Sequence, residues 1–196
     1  AINSGNLKAY NLPQKADIYI FAVPTPTKKG NGAMPSCDIS ILKNAFLSVL
    51  NLLKKEDLVI VESTSPIGTT EELASILFER SNFNKDDIHF VYCPERVIPG
   101  NMLEELTIND RVIGGLTPKA TEMAINFYSK FCKGKLFKAF AKEAEFVKLA
   151  ENSYRDLNIA FANELSIISE DLDLDVKKVI SLANRHPRVN ILNPGC

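Results

Sequence analysis

The sequence is poor in the residues that usually announce a metal centre or a disulfide scaffold. It carries two histidines and four cysteines in 196 residues, and Cys37, Cys93, Cys132 and Cys196 stand far apart with no CxxC pair. Two histidines cannot build a His-rich metal site, and scattered cysteines suit reduced thiols in a cytosol, so a cytoplasmic protein with no bound metal is expected. An excess of one charge is missing as well. The formal net charge is -1, which removes any electrostatic reason to expect nucleic acid or an acidic membrane surface as a partner. No apolar run approaches the roughly 18 residues a membrane span needs. The opening AINSGNLKAY has neither the basic nor the apolar region of a signal peptide. There is no initiating Met, and the chain stops inside the turn-rich phrase NILNPGC, so a fragment of a longer protein is expected.

What is present is an ordinary globular composition, 45% hydrophobic and 24% charged, enough for one domain or slightly more. Apolar runs at 16–24, 56–64, 87–95, 111–115 and 135–140 read as buried strands. Between them lie amphipathic stretches. ISILKNAFLSVLNLLKK has a helical stripe of Ile39, Leu42, Ala45, Phe46, Val49 and Leu53, with Asp38 or Ser40 as its expected cap. PIGTTEELASILFER starts near Thr69 or Thr70, and TPKATEMAINFYSKFC has Pro118 at its start. Continuous apolar strands alternating with amphipathic helices imply βαβ units and a parallel sheet covered on both faces. After residue 140 the pattern becomes nearly pure helix up to about Asn184, followed by a Pro-broken basic loop. The expected fold is therefore α/β: a doubly wound, Rossmann-like sheet over 1–140, then a helical connector over 141–196.

In open α/β sheets, ligands sit at the carboxyl ends of the strands. Three of the strands end in the phrases VPTPT, ESTSPIG and CPERVIPG, which place hydroxyls and charges at stiffened turns. Ser, Thr and Pro are common in any turn, but three such loops on one edge favour a site. Glu95 and Arg96 end one strand, where a carboxylate can serve as a base or simply form an exposed ion pair. Thr64 stands where a hydroxyl can meet a cofactor or hold a water. In the long helix, Lys148, Asn152 and Arg155 fall at i, i+4 and i+7 and share a face. The first two make a pair of donors suited to an oxyanion, and the third suits a carboxylate or phosphate. A solvated stripe is the competing reading, though Phe146, Val147, Leu149, Leu157, Ile159 and Phe161 surround the column and suggest a buried helix. His186 and Arg188 add donors suited to an anionic ligand.

Taken in order, FAVPTP, VESTSPIG, YCPERVIPG, NDRVIGG, AEFVKLAENSYRDLNIAFANEL and LANRHPRVNILNPG resemble the UDP-glucose/GDP-mannose dehydrogenase family, more closely its branch acting on UDP-N-acetylmannosamine. The resemblance covers nearly the whole chain. It implies oxidation of the C6 hydroxyl of a UDP-sugar to a carboxylate by two NAD+ in succession, through a cysteine thioester. It also implies a homodimer packed through the central helix. Lys148 and Asn152 would stabilise the oxyanion at C6, and Glu95 would be the base for thioester hydrolysis. Thr64 would place water or cofactor, and Thr25 would belong to a loop that contacts NAD. Arg96, Val97, Arg155, His186 and Arg188 would contact substrate, together with Lys148 and Asn152.

The pattern departs from the UDP-glucose enzymes at Pro99, where they tend to carry a second glutamate; this favours an N-acetylated hexosamine. The Gly-rich phosphate turn, the ribose-binding acid and the catalytic cysteine are expected outside residues 1–196, since Cys196 falls about six residues too early by phrase alignment with the family. UDP-glucose or GDP-mannose oxidation and a β-hydroxyacid dehydrogenase are the alternatives, the last disfavoured by the CPERVIPG loop. A non-enzymatic binding or dimerisation piece is a further reading for the isolated stretch.

Overall fold

The computed structural model describes residues 3–28, 35–97 and 100–195; Pro99 and Cys196, singled out above, lie outside them. In chain order the elements are β1 (Ile18–Phe21), β2 (Thr27–Lys28), β3 (Ser36–Cys37), α1 (Ser40–Val49), β4 (Leu58–Val61), α2 (Thr69–Arg80) and β5 (His89–Tyr92). Then come α3 (Met102–Ile108), β6 (Arg111–Gly115), α4 (Pro118–Tyr128), β7 (Leu136–Phe140), α5 (Ala141–Asp171) and α6 (Val176–Ala183). The chain divides into two compact units, Ala1–Val147 and Lys148–Cys196.

The first unit is a five-stranded sheet in the order β1-β4-β5-β6-β7. β4 and β5 are buried along their whole length, LVIV and HFVY, as the central strands of a doubly covered sheet must be. Their side chains alternate between two cores. Val59, Val61, Phe90 and Tyr92 pack with Leu42 and Phe46 of α1 and Leu73 and Leu77 of α2. Leu58, Ile60, Val91 and Cys93 pack with Ala120, Ala124 and Tyr128 of α4.

One pairing departs from the all-parallel reading. β1–β4, β4–β5 and β6–β7 are parallel, but β6 runs antiparallel to β5, with Val91 opposite Gly115 and Tyr92 opposite Gly114. This reversal explains where the helices lie. Crossovers between parallel strands are right-handed, so α1 and α2, stepping one way across the sheet, fall on one face. With β6 pointing the other way, the same rule sends α4 to the opposite face. Gly114 permits the close packing of β6: a Cβ there would stand 2.5 Å from the Phe140 carbonyl oxygen.

One capping expectation is replaced. Neither Asp38 nor Ser40 caps α1 from the N-cap position; that residue is Ile39, and Asp38 instead accepts the Ser40 N–H at 2.9 Å. α2 starts at Thr69, as expected, after the N-cap Gly68 at φ +93°, a backbone conformation that favours glycine. The expected Pro118 start of α4 holds, and the Thr117 hydroxyl accepts the Ala120 N–H at 3.1 Å.

In the second unit α5 continues to Asp171, and Asp175 caps α6 by accepting the N–H groups of Lys177 and Lys178. The buried-helix expectation for α5 is not met within this chain. Phe146, Tyr154, Leu157, Phe161, Ile167 and Ile168 are each at least half exposed.

Candidate functional site

The loops that leave β1 and β4 are knitted together by their own hydroxyls. Ser63 accepts the Val23 N–H at 2.9 Å and donates to the Val23 carbonyl at 2.8 Å. Thr25 donates to the Thr64 carbonyl at 2.6 Å, and Ser65 donates back to the Ser63 carbonyl at 2.8 Å. Parallel strands with adjacent carboxyl ends put VPTPT beside ESTSP, and hydrogen bonds between their hydroxyls and main chains hold the rim in one shape. The structure thus brings Thr25 and Thr64, named from sequence, into direct contact.

Beyond β5, the Glu95 carboxylate turns back to accept the Val97 N–H. The Arg96 guanidinium donates to the Asp110 carbonyl at 3.0 Å, and the Asn109 amide donates to the Arg96 carbonyl at 3.2 Å. Arg96, Ile108, Asn109 and Asp110 line an open polar recess of about 430 Å³. Glu95, Arg96 and Val97 are half-buried.

Beneath this rim lies a buried polar cluster that sequence reasoning did not identify. Arg111 is 6% exposed. Its Cζ lies 4.7 Å from the centre of the Tyr128 ring. Its Nη1 is 3.9 Å from Glu62 Oε1 and 4.0 Å from Cys93 Sγ, and its Nη2 donates to the Leu106 carbonyl at 3.3 Å. The Tyr128 hydroxyl donates to Glu62 at 2.6 Å. Burial drives the Tyr128 phenol far above its ordinary range, which keeps it a donor, and pushes the Cys93 thiol up to about 11. Cys93 is therefore a neutral thiol and unsuited to nucleophilic attack. The available signal was an arginine opening an otherwise apolar strand.

A second buried carboxylate was also missed. Glu145, fully buried in the first turns of α5, accepts the Gly68 N–H at 2.6 Å, the Thr70 N–H at 2.9 Å and the Thr70 hydroxyl at 2.7 Å. It satisfies the open donors at the N-terminus of α2, where the helix dipole also favours negative charge. Its signal was a glutamate between the small residues Ala144 and Ala141 and the strongly apolar turn that follows.

In the second unit, Lys148 is half-buried on α5 while Asn152 and Arg155 are exposed; helical spacing keeps the three on one face. His186 and Arg188 are exposed in the turns after α6, where the Arg188 N–H donates to His186 Nδ1 at 3.3 Å. Two further asparagines pin the terminal segment. Asn184 accepts the Ile191 N–H at 2.8 Å and donates to its carbonyl at 2.9 Å. Asn163 does the same for Gly195, with both bonds at 2.8 Å. Among the described residues no group of three His, Cys, Asp or Glu could hold a metal ion, and no helix is long and apolar enough to cross a membrane.

Comparison with known proteins matches residues 1–132 to the NAD binding domain and residues 142–196 to the central domain of the UDP-glucose/GDP-mannose dehydrogenase family. The chain is 51% identical to a UDP-N-acetyl-D-mannosamine dehydrogenase of Campylobacter jejuni, over all of this chain and 49% of that protein. It is 45% identical to an NDP-N-acetyl-D-galactosaminuronic acid dehydrogenase of Ralstonia nicotianae, over all of this chain and 47% of that protein. Among solved structures, the native UDP-N-acetyl-mannosamine dehydrogenase of Staphylococcus aureus superposes with a TM-score of 0.87 at 46% identity, covering 99% of this chain and 47% of that one. The chain spans about half the length of the curated relatives it matches.

Proposed function

Because the chain belongs to the UDP-glucose/GDP-mannose dehydrogenase family, we propose that the whole protein oxidises the C6 hydroxyl of a UDP-N-acetylhexosamine, UDP-N-acetylmannosamine first, to the uronate. The observation that supports this best is the rim itself. Three strand-end phrases meet at neighbouring carboxyl ends, with Thr25 bonded to Thr64, in a chain that matches a UDP-N-acetyl-D-mannosamine dehydrogenase along its whole length.

NAD, when bound, would supply the acceptor for the hydride that leaves C6 in each of the two oxidations. Thr25 and Thr64, on the loops after β1 and β4, line its edge of the sheet. Their hydroxyl-rich, pre-organised rim fits a ligand that must be oriented by hydrogen bonds. Lys148 and Asn152 donate to the oxygen at C6 as charge develops on it, and Lys148 exchanges the proton. Glu95 takes the proton of the water that opens the thioester. Arg155, His186 and Arg188, with Arg96 and Val97, bind the anionic substrate. The cysteine of the thioester is assigned outside residues 1–196, and buried Cys93 does not replace it.

The exposed apolar residues of α5, Leu157 and Phe161 among them, support a homodimer formed through that helix. The reduced cysteines Cys37, Cys93 and Cys132 suit the cytoplasm. Residues 1–140 are assigned to the NAD-binding domain and 141–196 to the connector.

The test is NADH production by the full-length gene product with UDP-N-acetylmannosamine, UDP-N-acetylgalactosamine, UDP-glucose and GDP-mannose. Two NADH per sugar, with the first as best substrate, is the expected result. Preference for the galacto sugar would shift the reading toward the Ralstonia relative, and no turnover with any nucleotide sugar would remove it.

A further inference from the structure

The reversed strand β6 has a consequence for the rim. β1, β4 and β5 all bring their carboxyl ends to it, whereas β6 brings its beginning. Since Tyr92 pairs with Gly114, the start of β6 at Arg111 runs on past the carboxyl end of β5. Arg111 points inward, and one guanidinium then meets three things at once. It lies 3.9 Å from Glu62, the first residue of ESTSP, and 4.0 Å from the Cys93 sulfur, the first residue of CPERV. It also bonds the Leu106 carbonyl of α3, the helix that follows CPERV in sequence. The two residues before it add to the hold, because Asn109 bonds the Arg96 carbonyl and the Asp110 carbonyl accepts from the Arg96 side chain.

This is a poor way to gain stability alone. A buried guanidinium is costly to desolvate, and here its Nε has no hydrogen-bond partner among the described residues, its carboxylate lies beyond hydrogen-bond distance, and its thiol neighbour is neutral. An apolar side chain would fill the same space at less cost. What an apolar residue cannot do is fix the root of one loop relative to the other with directed contacts.

We propose that Arg111 is a positioning residue. It ties the roots of the ESTSP and CPERV loops and so sets where Glu95 stands for the hydrolytic half of the reaction. This rests on the reading of Glu95 as the base given above. Arg111 is too buried to touch substrate, and acts through Cys93, Glu62, the α3 carbonyl and the Tyr128 ring beside it.

The test uses rapid-mixing kinetics on the full-length gene product, with Glu95→Gln as the reference. If hydrolysis is the step that Glu95 serves, Glu95→Gln gives a burst of two NADH per active subunit followed by slow turnover. Arg111→Met is expected to give the same burst, with steady-state kcat lowered about 10²-fold and KM for the nucleotide sugar little changed. Arg111→Lys should recover part of kcat, since an ammonium reaches one of the three contacts but not all. A burst in Glu95→Gln without one in folded Arg111→Met overturns the positioning role and leaves the Glu95 reading intact. No burst in Glu95→Gln overturns both. If Arg111→Met lacks a cooperative thermal transition, Asn109→Ala is read in its place, and a burst there supports the proposal while its absence overturns it.

Discussion

Glu145 offers the sharpest test of how this fold is held. The carboxylate is fully buried and takes three hydrogen bonds, two from backbone N–H groups at the start of α2 and one from the Thr70 hydroxyl. In Glu145→Ala those donors lose their partner in a place where water cannot easily replace it. Unsatisfied buried donors cost roughly 1–3 kcal/mol each, and the lost charge at the helix N-terminus adds about 0.3–1 kcal/mol. These terms do not add fully, and removing the carboxylate also relieves its own desolvation, so about 4 kcal/mol is expected. Glu145→Gln keeps one oxygen for Thr70 but turns an NH2 toward the Gly68 N–H, and is expected to cost about 2 kcal/mol. For a unit of this size each kcal/mol lowers Tm by about 2–4 °C. Urea titration and calorimetry of the two variants, beside Glu164→Ala at an exposed α5 position, measure the difference. Hydrogen exchange should also quicken at the Gly68 and Thr70 amides before the rest of α2. Should Glu145→Ala fall within 1 kcal/mol of the Glu164 control, with those amides still slow, the cap is energetically idle and the reasoning fails.

Other outcomes follow from the same geometry. Lys148→Ala should lower kcat about 10²–10³-fold with KM for the sugar little changed, and a loss confined to KM would remove its oxyanion role. Folding keeps the Cys93 thiol neutral up to about pH 11, whereas in the unfolded chain it ionises from its ordinary value of 9.0. The unfolded state therefore loses its proton first, and stability should fall between pH 9 and 11 by about 2–3 kcal/mol from this group. Buried Tyr128 and Tyr92 shift in the same direction, so the check is that Cys93→Ala flattens part of the slope rather than all of it. Leu157→Glu, on the exposed face of α5, should convert a dimer to monomer in light scattering, and an unchanged mass would place the interface elsewhere.

The main strands were legible because β4 is LVIV and β5, after its opening His89, is FVY, and only strands covered on both faces read as such apolar runs. The direction of β6 was not, since side-chain periodicity is the same whichever way a strand runs. The short α3 and the two-residue pair β2–β3 escaped for a different reason: each is too brief for a periodic pattern to emerge. At the candidate rim, Thr64 and Glu95 stood out as polar residues in turns at strand ends, and Thr25 came from the family resemblance of its loop. Arg111 and Glu145 did not, because a charge inside an apolar element looks the same in sequence whether it faces water or a buried partner. The exposure of Leu157 and Phe161 was hidden by the converse: an apolar side chain does not announce whether its own chain covers it.

The two asparagine clamps also decide where this chain tolerates changes of length. Asn184 and Ile191 close a small ring, tied at both ends by one carboxamide. One residue added between Arg185 and Asn190 enlarges that ring at a loop-closure cost of only about 0.1 kcal/mol, beside the cost of rebuilding the turn in which the Val189 N–H donates to the His186 carbonyl at 3.0 Å. The stretch from Ile191 to Gly195 has no such slack, because its ends are bound by different anchors, Asn184 after α6 and Asn163 on α5. A single deletion there forces one carboxamide to release both of its bonds. The segment thus tolerates added length better where it carries His186 and Arg188 than immediately after them.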